Sequence, residues 1–298
     1  MKELTAIFCA TIGLLVFRVE ARAWSDGGHM VIAAEAYREL PITVKTRVLL
    51  LLKSHPEYKK WAKGFGSSNL DLGTYIFMRA STWPDELRSR HTAQDHPGWH
   101  YINYPLKSAS LPAEPEPSSG DDILEGIRKC EEVLGNSQAR AEERAVHLSW
   151  LIHLIGDLHQ PLHCCALASD AAGSGEKDDF YVKSASCCVK LPVFWDGLLG
   201  VTEKPQAHLS NALQIQLEHP RKCLPELTAA ATTKAWSLES RSLAIERGYL
   251  GGELKGGASA ESAAALPEGY AAAAKVVAEK QAALAGYRLA DVVREYFN

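Results

Sequence analysis

Apolar positions recur at three- and four-residue intervals along most of the chain, while the alternation expected of half-buried strands is hardly found anywhere. "HMVIAAEAYREL" followed by "TVKTRVLLLLKSH" predicts one or two apolar-faced helices. "DDILEGIRKCEEVLG" opens on Asp and closes on Gly, as a capped helix does. "AEERAVHLSWLIHLIGDLH" is apolar on most sides, which predicts a central helix. Pro161 should end or kink it, because proline lacks the backbone donor that a helix interior needs. "TTKAWSLESRSLAIERGY" and "YAAAAKVVAEKQAALAGYRLADVVREYF" predict two closing helices. Stretches 105–120 and 251–269 are rich in Pro, Gly, Ser or Ala and read as surface loops. Neither separates two cores, and no internal repeat is present, so the expectation is a single, all-α domain.

The first 23 residues break this pattern. Leu4 to Phe17 is an apolar run after a weakly positive start, and Ala21 and Ala23 hold the small-residue positions before a cleavage site. A membrane anchor is the competing reading, but the run is short for a bilayer span of about 20 residues. The expectation is a signal peptide over 1–23, a mature domain over 24–298, and a secreted or periplasmic protein with no membrane anchor after cleavage. Removing 1–23 takes away three basic and two acidic residues and moves the formal charge from -4 to -5. That balance is no electrostatic footprint for tight duplex binding. It leaves room for an enzyme that holds a phosphodiester with metal ions. Nothing in the chain points to a protein partner.

Cys9 leaves with the leader, so six cysteines remain: Cys130, Cys164, Cys165, Cys187, Cys188 and Cys223. An even number in an exported chain predicts disulfides, here closing the polar insert between the two adjacent pairs. The alternative is that one thiolate ligates a metal.

The chemically dense stretch is "HLIGDLHQPLH". His153 and Asp157 are four apart, so they share one helix face. The chain then breaks at Pro161 and brings His163 in from a new direction. Imidazole and carboxylate donors are what zinc takes at about 2.0–2.2 Å, and three candidates lie within eleven residues. His159, on neither ligand face, reads as a supporting hydrogen-bonding group. His147 carries no assigned role. "STWPDELR" adds Asp85 and Arg88, and "HPGWHYINYP" adds His100 between aromatics. Singly, Asp85 reads as a helix-start acid and His100 as a buried core histidine.

Together these residues resemble the zinc-dependent S-one/P-one nuclease family, related in fold to bacterial zinc phospholipase C. The matching features are Trp24 with His29, "WPD", "WHYIN", "HLIGDLHQPLH", "FWD" and "LAGYRLADVV", in that order across the mature chain. The resemblance implies a single helical domain with a metal cleft holding two to three Zn2+ ions. It implies that Asp85, His100, His153 and Asp157 hold the first ion. Asp157 would bridge to a second, held also by His29 and by the amine and carbonyl of Trp24. An α-amine has a pKa near 8, so freeing it for a metal costs little, and cleavage before Trp24 is what creates it. Asp85 and Asp157 would then serve catalysis by holding a metal pair that acidifies water. Arg88 would steady charge on the phosphoryl oxygens. Tyr101 and Asn103 would stack on and hydrogen-bond to a base of a single-stranded nucleic acid or nucleotide substrate.

The chain departs from the family at the third ion. The positions that should hold it are His163, Pro192 and Asp196, and proline cannot ligate. "GSGEKDDFY" replaces the family's Gly-Gly-Asn pattern, with Glu176, Lys177 and Asp178 at the aligned positions. Either the site fills weakly, with help from Cys187, Cys188 or a nearby acid, or it stays empty and turnover is low. The resemblance therefore implies an exported zinc phosphodiesterase cleaving single-stranded DNA or RNA and 3′-nucleotides. The alternatives are a weakened member that binds metal and phosphate ligands without efficient turnover, or a phosphodiesterase acting on lipid headgroups.

Overall fold

The computed structural model describes residues 24–298 except 67, 89, 91, 107–119, 167–179, 185–187 and 203. The leader, the loop tip and the polar insert with Glu176, Lys177 and Asp178 therefore lie outside the described residues, as does Cys187. Helices α1 (Asp26–Glu39), α2 (Ile42–Leu52), α3 (Tyr58–Phe65) and α4 (Leu72–Arg88) form the first half of the bundle. They are followed by α5 (Ile123–Gly135), α6 (Ala141–Leu158), α7 (Leu191–Asp196) and α8 (Pro205–Glu218). The short α9 (Glu226–Ala229), then α10 (Thr233–Leu243) and α11 (Tyr270–Phe297), complete it.

The expected mostly helical single domain is what forms. Helix α6 is buried from Ala145 onward except at His147, as the apolar run after its polar first turn requires, with α4 and α5 packed against it. Helix α1 packs on α4, α8 and α11. Asp122 caps α5 by accepting from the backbone N–H groups of Leu124 and Glu125 at 3.0 and 3.2 Å. Pro161 does end α6: the chain leaves it through a 3-10 turn, Pro161–His163.

Three features differ from the sequence expectation. Asp85 is not a helix-start acid, because it sits in the last turn of α4 with Pro84 inside the same helix. A small sheet exists, with β1 (Tyr181–Lys183) between antiparallel β2 (Cys188–Lys190) and parallel β3 (Ala264–Ala265). Segments of two or three residues are too short to show a period-two pattern. The sheet side has its own small apolar cluster, centred on Val182, Leu191, Trp195, Tyr249 and Tyr270. Finally, Cys130 and Cys164 are buried thiols and Cys223 an exposed one, so none of these three is bridged. Cys164 donates to the carbonyl of Leu158 at 3.4 Å instead.

Among the described residues, no helix is long and apolar enough to cross a membrane.

Candidate metal centre

Four elements deliver the donors. Helix α6 carries His153 and Asp157 one turn apart, and α4 carries Asp85 and Arg88. A 3-10 turn, Pro97–His100, presents His100, and α1 presents His29. The 3-10 turn after α6 returns His163, and α7 ends on Asp196. All seven of these histidine and aspartate side chains are buried.

The geometry centres on Asp157. Its Oδ2 lies 3.0 Å from His100 Nδ1 and 3.0 Å from His153 Nε2, and those two nitrogens are 2.9 Å apart. Its Oδ1 faces the other way, 3.2 Å from His29 Nε2 and 3.8 Å from His163 Nδ1. Asp85 Oδ1 stands 3.9 Å from both His100 Nδ1 and His153 Nε2. Two donor groups thus converge, His29–Asp85–His153 and His100–His153–Asp157, sharing His153. The rings of His29 and His153 stack at 3.9 Å.

Backbone contacts fix which nitrogen faces the centre. His153 Nδ1–H donates to the Ser81 carbonyl at 2.8 Å, so Nε2 is the nitrogen that faces the centre. His163 Nδ1–H donates to the His100 carbonyl at 3.0 Å, leaving Nε2 free. The carbonyl support that orients metal-binding imidazoles is therefore in place.

The protein does not satisfy this site on its own. Both nitrogens of His29, both oxygens of Asp85, His100 Nε2, Asp157 Oδ1, His163 Nε2 and Asp196 Oδ2 have no hydrogen-bond partner among the described residues. Each buried orphan costs about 1–3 kcal/mol, and more when charged, so a cluster this large asks for a cation. The donors also fit in spacing, since ligand atoms around a tetrahedral zinc stand roughly 3.3 Å apart at bonds of about 2.0–2.1 Å. His29, Asp85, His100, His153 and Asp157 fit a metal cation in donor type and spacing.

The electrostatics agree. Burial opposes charge on Asp157, but His153, His100 and His29 hold its carboxyl well below the usual range. Asp85 is lowered for the same reason, with burial again outweighed by His153, His100 and His29. Burial also opposes charge on His153, yet Asp157 and Asp85 push it up to about 9. The centre holds two carboxylates that recruit positive charge.

The third position is different. His163 Nε2 is 3.4 Å from Asp196 Oδ1, and that oxygen already accepts from Gln160 Nε2 at 2.7 Å. Pro192, buried in the first turn of α7 four residues before Asp196, offers no lone pair. Among the described residues no third donor joins the two. Burial pushes Asp196 up to about 7, with His163 pulling the other way.

Two supporting residues were not legible in the sequence as such. Gly156 accepts from the Trp24 indole N–H at 2.9 Å, and a Cβ at 156 would lie 3.0 Å from His29 Nδ1. Its position next to Asp157 in "LIGDL" was the available signal. Gln160 is the other, at the start of the turn that carries His163. Trp24 is fully buried, and the Ser25 N–H donates to the Asp196 carbonyl at 3.0 Å. The expected mature start is thus clamped between α6 and α7.

Of the remaining sequence-predicted residues, Arg88 lies over the ring of Tyr101 at 5.6 Å and reaches its hydroxyl at 3.5 Å. Tyr101 is buried, with His163 at 4.6 Å on its ring, and Asn103 is half-buried beside it. His159 turns away from the centre: its Nδ1–H donates to Ile155 and its Nε2 accepts from Arg288 at 2.8 Å.

A mostly helical fold thus surrounds a buried histidine–aspartate centre whose donors could hold metal ions. The family model described as "S1/P1 Nuclease" matches residues 24–298, and the chain belongs to that family. It is similar to Nuclease P1 of Penicillium citrinum and to Nuclease PA3 of a Penicillium species, each 30% identical over 112 residues. That alignment covers 36% of this chain and 40% of each relative.

Proposed function

We propose that this chain is an exported, zinc-dependent phosphodiesterase that hydrolyses single-stranded DNA or RNA and 3′-nucleotides with two well-built metal positions and an impaired third. The observation that carries this is the placement of Asp157: one oxygen faces His100 and His153 and the other faces His29, so a single carboxylate would serve donors on both sides of it. Membership of a nuclease family gives the reaction class.

Asp85, His100, His153 and Asp157 would hold the first ion, and Asp157, His29 and the Trp24 amine and carbonyl the second. Zinc at these positions supplies a Lewis acid that activates water near neutral pH and neutralises phosphate charge. Ser81 and the His100 carbonyl keep His153 and His163 in the tautomers that point lone pairs inward. Arg88, propped on Tyr101, presents its guanidinium to phosphoryl oxygens, the fork geometry suiting two of them. Tyr101 and Asn103 would contact the base. Cleavage before Trp24, and hence export, is supported by the family match starting at that residue.

A second reading, a weakened family member, is favoured by Pro192 alone. Elemental analysis together with hydrolysis of single-stranded DNA, RNA and a 3′-nucleotide distinguishes them. The nuclease reading expects about two tightly held zinc ions per chain and hydrolysis that a chelator abolishes. Metal binding with no hydrolysis supports the weakened member, and hydrolysis that survives complete chelation overturns the metal reading.

A further inference from the structure

Helices α10 and α11 supply no donor to the metal centre, yet they close on the turn that carries two of its candidate ligands. Among the described residues the converging donors come from α1, α4, α6 and the 3-10 turn before His100. Helix α11 nevertheless contains "LAGYRLADVV", whose Arg288 is buried at 3% exposure.

A buried guanidinium is costly unless its donors are met. Arg288 Nη1 donates to His159 Nε2 at 2.8 Å and lies 2.7 Å from Glu239 Oε2 of α10. Its Nη2 donates to the Glu226 carbonyl at 3.0 Å, and the guanidinium lies over the Trp236 ring at 5.0 Å. His159 is built to receive it. Its Nδ1–H donates to the Ile155 carbonyl at 2.7 Å, which leaves Nε2 to accept from Arg288.

His159 caps α6 just past Asp157. The chain from there to His163 is tied down residue after residue. The Leu158 carbonyl accepts from Ser240 Oγ of α10 at 2.6 Å, and His159 accepts from Arg288 of α11. Gln160 holds both Asp196 and the Leu162 N–H, and His163 donates to the His100 carbonyl. The ties from α10 and α11 thus fall on the two residues that follow Asp157. Asp157 faces donors on both sides, so a small rotation of this helix end would bring it toward one side and away from the other.

We propose that Arg288 is a positioning residue for the metal centre: acting through His159, it fixes the end of α6 and thereby sets how tightly the ions at Asp157 are held. The inference rests on the metal reading and deepens it by giving the C-terminal helix a part in a site to which it lends no ligand. Groups that orient ligands from behind change metal affinity by about 10–100-fold when removed.

The test measures Zn2+ affinity by chelator competition, the visible spectrum of the Co2+-substituted protein, and the melting temperature of the metal-free protein. Arg288→Met and His159→Leu should each weaken Zn2+ binding at least about tenfold and shift the Co2+ bands. The double variant should be little weaker than either single one, because the pair acts as one unit. His159→Gln, which keeps an acceptor for Arg288, should recover most of the affinity. Arg288→Lys keeps the buried charge in a chain that folds if Arg288→Met does not, and losing the planar fork should still weaken binding. Tyr287→Phe, the neighbour on α11, removes a bond to the His219 carbonyl instead and should leave Zn2+ affinity unchanged. A lower melting temperature with unchanged Zn2+ affinity and Co2+ spectrum makes Arg288 a packing residue and overturns the proposal. Fully additive losses in the double variant overturn the route through His159. A wild-type protein that binds no Zn2+ overturns the metal reading itself, an outcome distinct from wild type and variants binding equally well.

Discussion

His29 Nε2 stands 3.2 Å from one oxygen of Asp157, while His153 Nε2 stands 3.0 Å from the other. One carboxylate therefore serves two donor sets, and its neighbours make it the hinge of the centre. Substituting Asp157→Asn removes the charge that both sets share. The expected outcome is loss of both metals together rather than one, with activity down by at least about a hundredfold. Metal content by elemental analysis checks this, and a variant retaining one ion in full would show that the two positions are independent.

The terminal amine is the second lever. Trp24 is held by Gly156 and Ser25 by Asp196, so an extra residue placed before Trp24 leaves this clamp intact but removes the amine. Such a chain should fold normally, bind about one ion fewer and lose most activity. Equal activity of the extended and processed chains would show that no terminal chelate exists.

Pro192 is the third. It lies four residues before Asp196 in α7, so a side chain there shares the face of that carboxylate. Pro192→His should complete a three-ligand site with His163 and Asp196. Zinc per chain should rise by about one, and turnover should rise with it. A wild-type protein that already holds three ions at full activity would remove the basis for an impaired site.

The fourth concerns stability away from the metals. Glu35 of α1 is fully buried, and neither of its carboxyl oxygens has a hydrogen-bond partner among the described residues. Its Oε2 would lie 2.7 Å from a Cβ at Gly286 of α11, so it sits in the helix interface. Burial raises its pKa well above the ordinary 4.5, with Glu39 adding and Arg38 opposing. Its neutral form favours folding fully below the unfolded pKa, and that contribution is lost as pH rises toward the folded pKa. Glu35→Gln should leave the melting temperature near wild type at low pH and raise it increasingly above about pH 5, by about 2–4 °C per kcal/mol recovered. Parallel melting curves across pH would contradict this.

The helices of the central bundle were legible because their apolar positions repeat over three or more turns. This holds most clearly for α6 and α11, where the burial follows the sequence. The donor types in "HLIGDLHQPLH" were legible too, since one helix turn and one proline fix how His153, Asp157 and His163 can project. The short elements were not: α3, α7 and the two- and three-residue strands carry too few residues for a period to show. Asp85 taken singly read as a helix-start acid, and only the packed structure shows that α4 runs through Pro84 and carries Asp85 in its last turn.

By itself the sequence determined the fold class and the chemistry of the donors, because both depend on local spacing. Only the tertiary structure decided that Asp157 splits between two sets, that Gly156 makes room for His29, and that Gln160 occupies Asp196. Those relationships join residues tens of positions apart through buried contacts. Whether a lone pair points at a metal site or at a backbone donor is settled by packing, not by spacing along the chain.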